Sequence, residues 1–154
     1  MTVSIDFADP YADQLNNSQI EHCVLTTLEH QGATLDTDLS ILVDNDSRIQ
    51  RLSREFMGID APTDVLAFPA GHVDPDTGRV YLGDVIISFP QAKNQADQAG
   101  HSLSAEINML VVHGVLHLLG YDHHEPEGKS EMWSAQSQIL SSLGVSINSP
   151  ELSK

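Results

Sequence analysis

Apolar and polar residues alternate through Val3, Ser4, Ile5, Asp6 and Phe7, the period of a strand with one buried face. The period then lengthens. Ile20, Val24 and Leu28 line one face of a helix, preceded by the capping-box pair Ser18 and Glu21 and followed by Gly32 as a stop. Leu39, Ile41 and Val43 alternate again as a second strand. From Asn45 to Met57 the pattern is helical, with Ile49, Leu52 and Phe56 on one stripe. Asp64 to Phe68, reached through Pro62, reads as a third strand. The turn formers Asp74-Pro75-Asp76-Thr77-Gly78 separate it from a fourth, Val80 to Ser88, in a hairpin. Helical stretches follow at Gln91 to Ala99, Ser104 to Leu119 and Glu127 to Leu143.

This order predicts an α/β (α+β) fold: a mixed four-stranded sheet, three strands parallel, with about five helices against it. One domain covers residues 1–148, and 149–154 form a frayed tail. The Ser104 to Leu119 helix is apolar nearly all round, so it belongs at the centre, buried.

Composition narrows the setting. The chain has 154 residues, 40% of them hydrophobic, enough for a core that needs no covalent staples. Cys23 is the only cysteine, so no internal disulfide is possible. The first residues have neither the basic start nor the apolar core of a signal peptide. Met109 to Leu119, the most apolar stretch, is too short to span a bilayer. A cytoplasmic protein with no membrane partner is the expectation. Seven basic against 22 acidic residues give a net charge of −15. Such a field repels polyanions and argues against indiscriminate nucleic-acid binding. A nucleic-acid partner has to be held by a local patch, a metal ion or another protein.

The chemistry is concentrated in one run, His113-Gly114-Val115-Leu116-His117-Leu118-Leu119-Gly120-Tyr121-Asp122-His123. His113 and His117 are i and i+4, so on a helix both imidazoles leave one face. Gly120 lets the chain turn back, and His123 supplies a third ligand. Three protein ligands leave a fourth position open, the mark of a catalytic zinc site. One Zn2+ per chain is the expected cofactor. The spacing H-x-x-x-H-x-x-G-x-x-H is shared with metzincin proteases, but their general-base glutamate is replaced here by Gly114.

The fuller string, His113-Gly114-x-Leu116-His117-Leu118-x-Gly120-Tyr121-Asp122-His123, closely resembles the YbeY family of bacterial endoribonucleases. Pro62-Thr63-Asp64-Val65-Leu66-Ala67-Phe68-Pro69 resembles that family's P-T-D-V-L-S-F-P segment. Leu82-Gly83-Asp84-Val85-Ile86-Ile87-Ser88 resembles its following strand, and Glu131-Met132 its terminal helix. The resemblance runs from about residue 44 to 143. It implies a mixed α/β fold with one zinc and cleavage of single-stranded RNA. It further implies a role in small-subunit (16S) rRNA 3′-end maturation and ribosome quality control. The family pattern uses His123 rather than His124 as third ligand, which leaves His124 exposed. Zinc-bound water or the RNA 2′-hydroxyl is then the nucleophile, and Asp122 orients a ligand imidazole or completes a turn.

One position departs from the family. Its members commonly carry an arginine before the glycine leading to P-T-D; here Met57 precedes Gly58, and a neighbouring asparagine position is Ser53. A guanidinium there would contact the scissile phosphate. Arg48, Arg51 and Arg54 recur every three residues opposite Ile49, Leu52 and Phe56, and form the chain's best RNA-binding patch, Arg54 being the candidate phosphate contact. The competing reading is a solvated face with Arg51 paired to Glu55. His22, His30, His72 and His101 are expected at the surface, and Met132 and Trp133 are expected to pack the last helix over the site. Partners implied are rRNA and the small ribosomal subunit, reached through a basic ribosomal protein that attracts the acidic body. Two rival functions are a zinc metallopeptidase and a non-catalytic, zinc-containing ribosome assembly factor.

Overall fold

The computed structural model describes residues 2–7, 15–33, 37–58, 63–120 and 126–145. His123, His124, Asp122, Pro62 and the 149–154 tail lie outside the described residues. Strand β1 (Thr2–Phe7) turns Val3, Ile5 and Phe7 to the core. Helix α1 (Asn17–His30) buries Ile20, Val24 and Leu28 as the pattern requires, with Cys23 and Thr27 on the same face. Its cap is Asn16 rather than Ser18: the Asn16 side chain accepts the Gln19 N–H at 3.1 Å. Asn16 has extended backbone, whereas Ser18 already lies in the first turn, where its hydroxyl cannot serve as the cap.

In β2 (Thr37–Asp44) burial alternates through Leu39, Ile41 and Val43. Helix α2 (Asp46–Met57) is capped by Asn45 and ends at Gly58, whose φ of 72° is left-handed. Its stripe differs from the sequence reading. Ile49 and Ser53 are buried and Leu52 half-buried, while Phe56 is 65% exposed, with an edge-on contact to Phe68. The helix is buried against the sheet through Ile49, and its last turn lies more exposed.

Strand β3 (Val65–Val73) runs past Phe68: Pro69 still pairs with Gly83, and the register shifts between Pro69 and His72. Proline is tolerated there because β3 is an edge strand. The hairpin leads to β4 (Val80–Ser88), and Ser88 caps α3 (Phe89–Ala99) directly, two residues before the Gln91 start that periodicity suggests. Helices α4 (Leu103–Leu118) and α5 (Pro126–Ser142) complete the described elements. The sheet order is β1-β2-β4-β3; β1, β2 and β4 are parallel and β3 is antiparallel to β4. The four-stranded mixed sheet with five helices is the expected α+β architecture.

The two sheet faces differ. On one, Leu39, Ile41, Val43, Val85 and Ile87 pack under α1, α4 and α5 as the main core. On the other, Ile49 of α2 meets Leu66 and Ile86 in a small second cluster. Leu42 and Phe68 pack against that cluster, and further along the same face the Ser40 and Tyr81 hydroxyls both reach the Asp84 carboxylate. Burial, and then the Asp84 carboxylate, hold the Tyr81 phenol above its usual range. Arg79 grips Asp38 with two bonds, Nε to Oδ2 at 3.0 Å and Nη2 to Oδ1 at 2.5 Å, tying the hairpin to β2. Among the described residues no helix is long and apolar enough to cross a membrane.

Candidate metal centre

Helix α4 packs against α1, α3, α5, β3 and β4, which makes it the buried central helix. Ser102 caps it by accepting the Ala105 N–H at 3.0 Å. It carries more polar residues inside than its apolar sequence suggests: Glu106 and Asn108 are both buried. Glu106 has a partner the sequence reading missed. His101, expected at the surface, has its side chain buried with Nε2 2.6 Å from Glu106 Oε1. A buried carboxylate demands such a partner, and the short connection after α3 brings one within reach. His72 is exposed as expected but sits within β3, and His22 and His30 are exposed on α1.

Two glycines let this helix lie flush on the sheet. A Cβ at Gly114 would fall 2.5 Å from Val85 Cγ1, and one at Gly83 would meet Leu118 Cδ2 at 2.9 Å. Gly83 also has a φ of 142°, which side-chain-bearing residues rarely adopt. With Gly114 against the sheet, the helical advance of about 100° per residue turns His113 and His117 together onto one flank.

On that flank the two imidazoles converge. Their Nε2 atoms lie 3.2 Å apart, with ring planes at 75° and centroids 4.7 Å apart. Tetrahedral zinc with bonds of 2.0–2.1 Å places neighbouring nitrogens roughly 3.3–3.4 Å apart, so this pair already has the edge length of such a site. Both histidines are half-buried on a helix whose other faces are buried, so the nitrogens are held rigidly yet reachable. His113 has a further partner: its Nδ1 is 3.0 Å from Gln136 Oε1 on α5. Met132 lies in the core and Trp133 packs against it, so α5 covers α4 as the sequence reading requires. The donor set thus fits a transition metal at two positions. Among the described residues no third histidine, cysteine or carboxylate joins them. His123 lies outside those residues.

The other candidates stand apart from this pair. Helix α2 is on the opposite sheet face, so Arg48, Arg51 and Arg54, all exposed, are separated from the imidazoles by the sheet. Arg48 pairs at 3.6 Å with Asp44, one turn before it. Ser53 is buried, pointing inward rather than toward a phosphate. Asp84 also faces away from the histidines. Thr63 donates to Asp64 at 3.3 Å and the Asp64 carbonyl accepts the Ser88 N–H, so both fix the start of β3.

Gln136 was missed by the sequence reading, yet a signal existed. Among the described side chains of α5, Met132, Ala135, Gln136, Ile139 and Leu140 are buried, and Gln136 is the polar one of these.

Fold and site together define a class: an α+β domain whose buried central helix offers an i, i+4 histidine pair above a mixed sheet. The sequence model of the family described as endoribonuclease YbeY matches residues 5–144. A protein of that name from Roseiflexus sp. (strain RS-1) is 41% identical over 152 residues, covering 94% of each chain. Another, from Heliobacterium modesticaldum, is 42% identical over 136 residues, covering 82% of each. The solution structure of a Thermotoga maritima protein superposes with a TM-score of 0.63 at 25% identity, covering 92% of this chain and 88% of the other. The chain belongs to the endoribonuclease YbeY family.

Proposed function

We propose that this chain is a zinc-dependent endoribonuclease acting on single-stranded RNA, in small-subunit rRNA 3′-end maturation and ribosome quality control in the cytoplasm. The observation that carries the metal reading is the 3.2 Å approach of His113 Nε2 to His117 Nε2 on a buried helix. The RNA reading is supported by relatives at about 40% identity that bear the name endoribonuclease. His113 and His117 would hold one zinc with His123, and the ion would supply Lewis acidity toward a phosphodiester oxygen and activate water or the 2′-hydroxyl for attack. The protein's own contribution is to fix the two imidazoles on a rigid helix and to limit solvent around them.

With a net charge of −15, the chain repels RNA except at local patches. Arg48, Arg51 and Arg54 would contact RNA backbone lying across the β3 edge, outside the reacting phosphate. A basic ribosomal protein of the small subunit would dock on the acidic surface and deliver the rRNA end. A peptidase reading is disfavoured by Gly114: the space a general-base side chain would need there is filled by Val85. The acidic surface also suits a non-catalytic assembly factor, so the deciding test is catalytic. Purified, metal-analysed protein should cut precursor rRNA, and His117→Ala should abolish cutting while the chain stays folded. Folded, zinc-free protein that still restores ribosome assembly in a deletion strain would establish the assembly-factor reading instead.

A further inference from the structure

The partner of His113 on α5 has no role in the function proposed so far. Gln136 is only 3% exposed, on a stripe with the buried Met132, Ala135, Ile139 and Leu140. Packing alone would favour a leucine there, since a buried amide costs free energy unless it is hydrogen-bonded. Its Oε1 lies 3.0 Å from His113 Nδ1, and a carbonyl oxygen can only accept. With that oxygen as acceptor, Nδ1 would carry the hydrogen and Nε2 of a neutral ring would present its lone pair toward His117 Nε2.

We propose that Gln136 is a positioning residue for the metal centre: it holds His113 in the Nδ1–H tautomer and fixes the ring so that Nε2 faces the shared gap. Ligating histidines in metal sites generally donate their other ring N–H to such an acceptor, and losing it costs typically 10–100-fold in metal affinity. Docking α5 is thus what completes the ligand's orientation.

This inference rests on the metal reading, and the experiment separates the two. Zinc affinity is measured on the full chain by competition with a chromophoric chelator, for wild type, Gln136→Leu and Gln136→Glu. The tautomer of His113 is read from ring 15N shifts in metal-free wild type. The expected result is an Nδ1–H ring in wild type, a 10–100-fold loss of zinc affinity in Gln136→Leu, and recovery to within a few-fold in Gln136→Glu, whose carboxylate also accepts. Zinc affinity in folded Gln136→Leu equal to wild type would overturn the inference and leave the metal reading standing. An Nε2–H ring in wild type would overturn it without recourse to any variant, including one that fails to fold. Wild type that takes up no zinc would overturn both.

Discussion

Gly114 and Val85 are in contact so close that position 114 has no room for a side chain: a Cβ would lie 2.5 Å from Val85 Cγ1 and 3.0 Å from Cγ2. This fit sets how near α4 comes to β4, and so where the histidines on its flank are held. Gly114→Ala should destabilise the fold by about 1–2 kcal/mol, overpacking outweighing the roughly 1 kcal/mol that alanine gains over glycine in a helix. In Val85→Ala the same change should cost less, because the clash is gone. Urea unfolding of the four proteins tests this, and additive effects would show that the two residues are uncoupled.

Metal content should follow the histidines. His113→Ala, His117→Ala and His123→Ala should each lose the bound zinc, while His124→Ala keeps it. Elemental analysis after gel filtration decides. Full occupancy in His123→Ala with loss in His124→Ala would reassign the third ligand.

Met57 and Arg54 test where phosphate is contacted. If an arginine beside Gly58 serves the reaction, Met57→Arg should raise ribonuclease activity with zinc content unchanged. Flat activity there, with loss in Arg54→Ala, would place the contact on the arginine face of α2.

Charge governs delivery. Naked RNA should bind weakly, with a shallow slope of log affinity against log salt, since each neutralised phosphate contributes only about −0.7 for single strands. Small ribosomal subunits should bind more tightly. A steep slope on naked RNA would reveal a larger basic surface and remove the need for a protein partner.

Cys23 makes stability fall in alkali. Burial pushes its thiol from 9.0 up to about 11. Between those values the unfolded chain has lost the proton that the folded chain keeps, so stability falls as pH rises from about 9 to about 11. At 1.36 kcal/mol per pH unit this amounts to about 2–3 kcal/mol. Cys23→Ala should flatten that part of the pH profile in denaturant titrations, whatever its effect at neutral pH. An unchanged alkaline slope would show that the thiol is not the group responsible.

The sequence by itself determined the elements and half the site. Period-two alternation marked β1 and β2 because each has one face on the core, the turn formers at Asp74 to Gly78 marked the hairpin into β4, and the apolar run of α4 showed that it is buried. The i, i+4 spacing was enough to bring His113 and His117 together, since helical geometry is local. The cap escaped because capping residues stand at both Asn16 and Ser18 and only the backbone shows where the helix starts; the exposure of Phe56 escaped because it depends on where the helix meets its neighbour, not on its own period. Only the tertiary structure decided that α2 and its arginines lie across the sheet from the imidazoles, since periodicity says which face of a helix is buried and not which face of the sheet buries it. The same holds for His101 with Glu106 and for Gln136 with His113. Their partners come from different elements, and a polar residue on a buried stripe announces that it needs a partner without naming one.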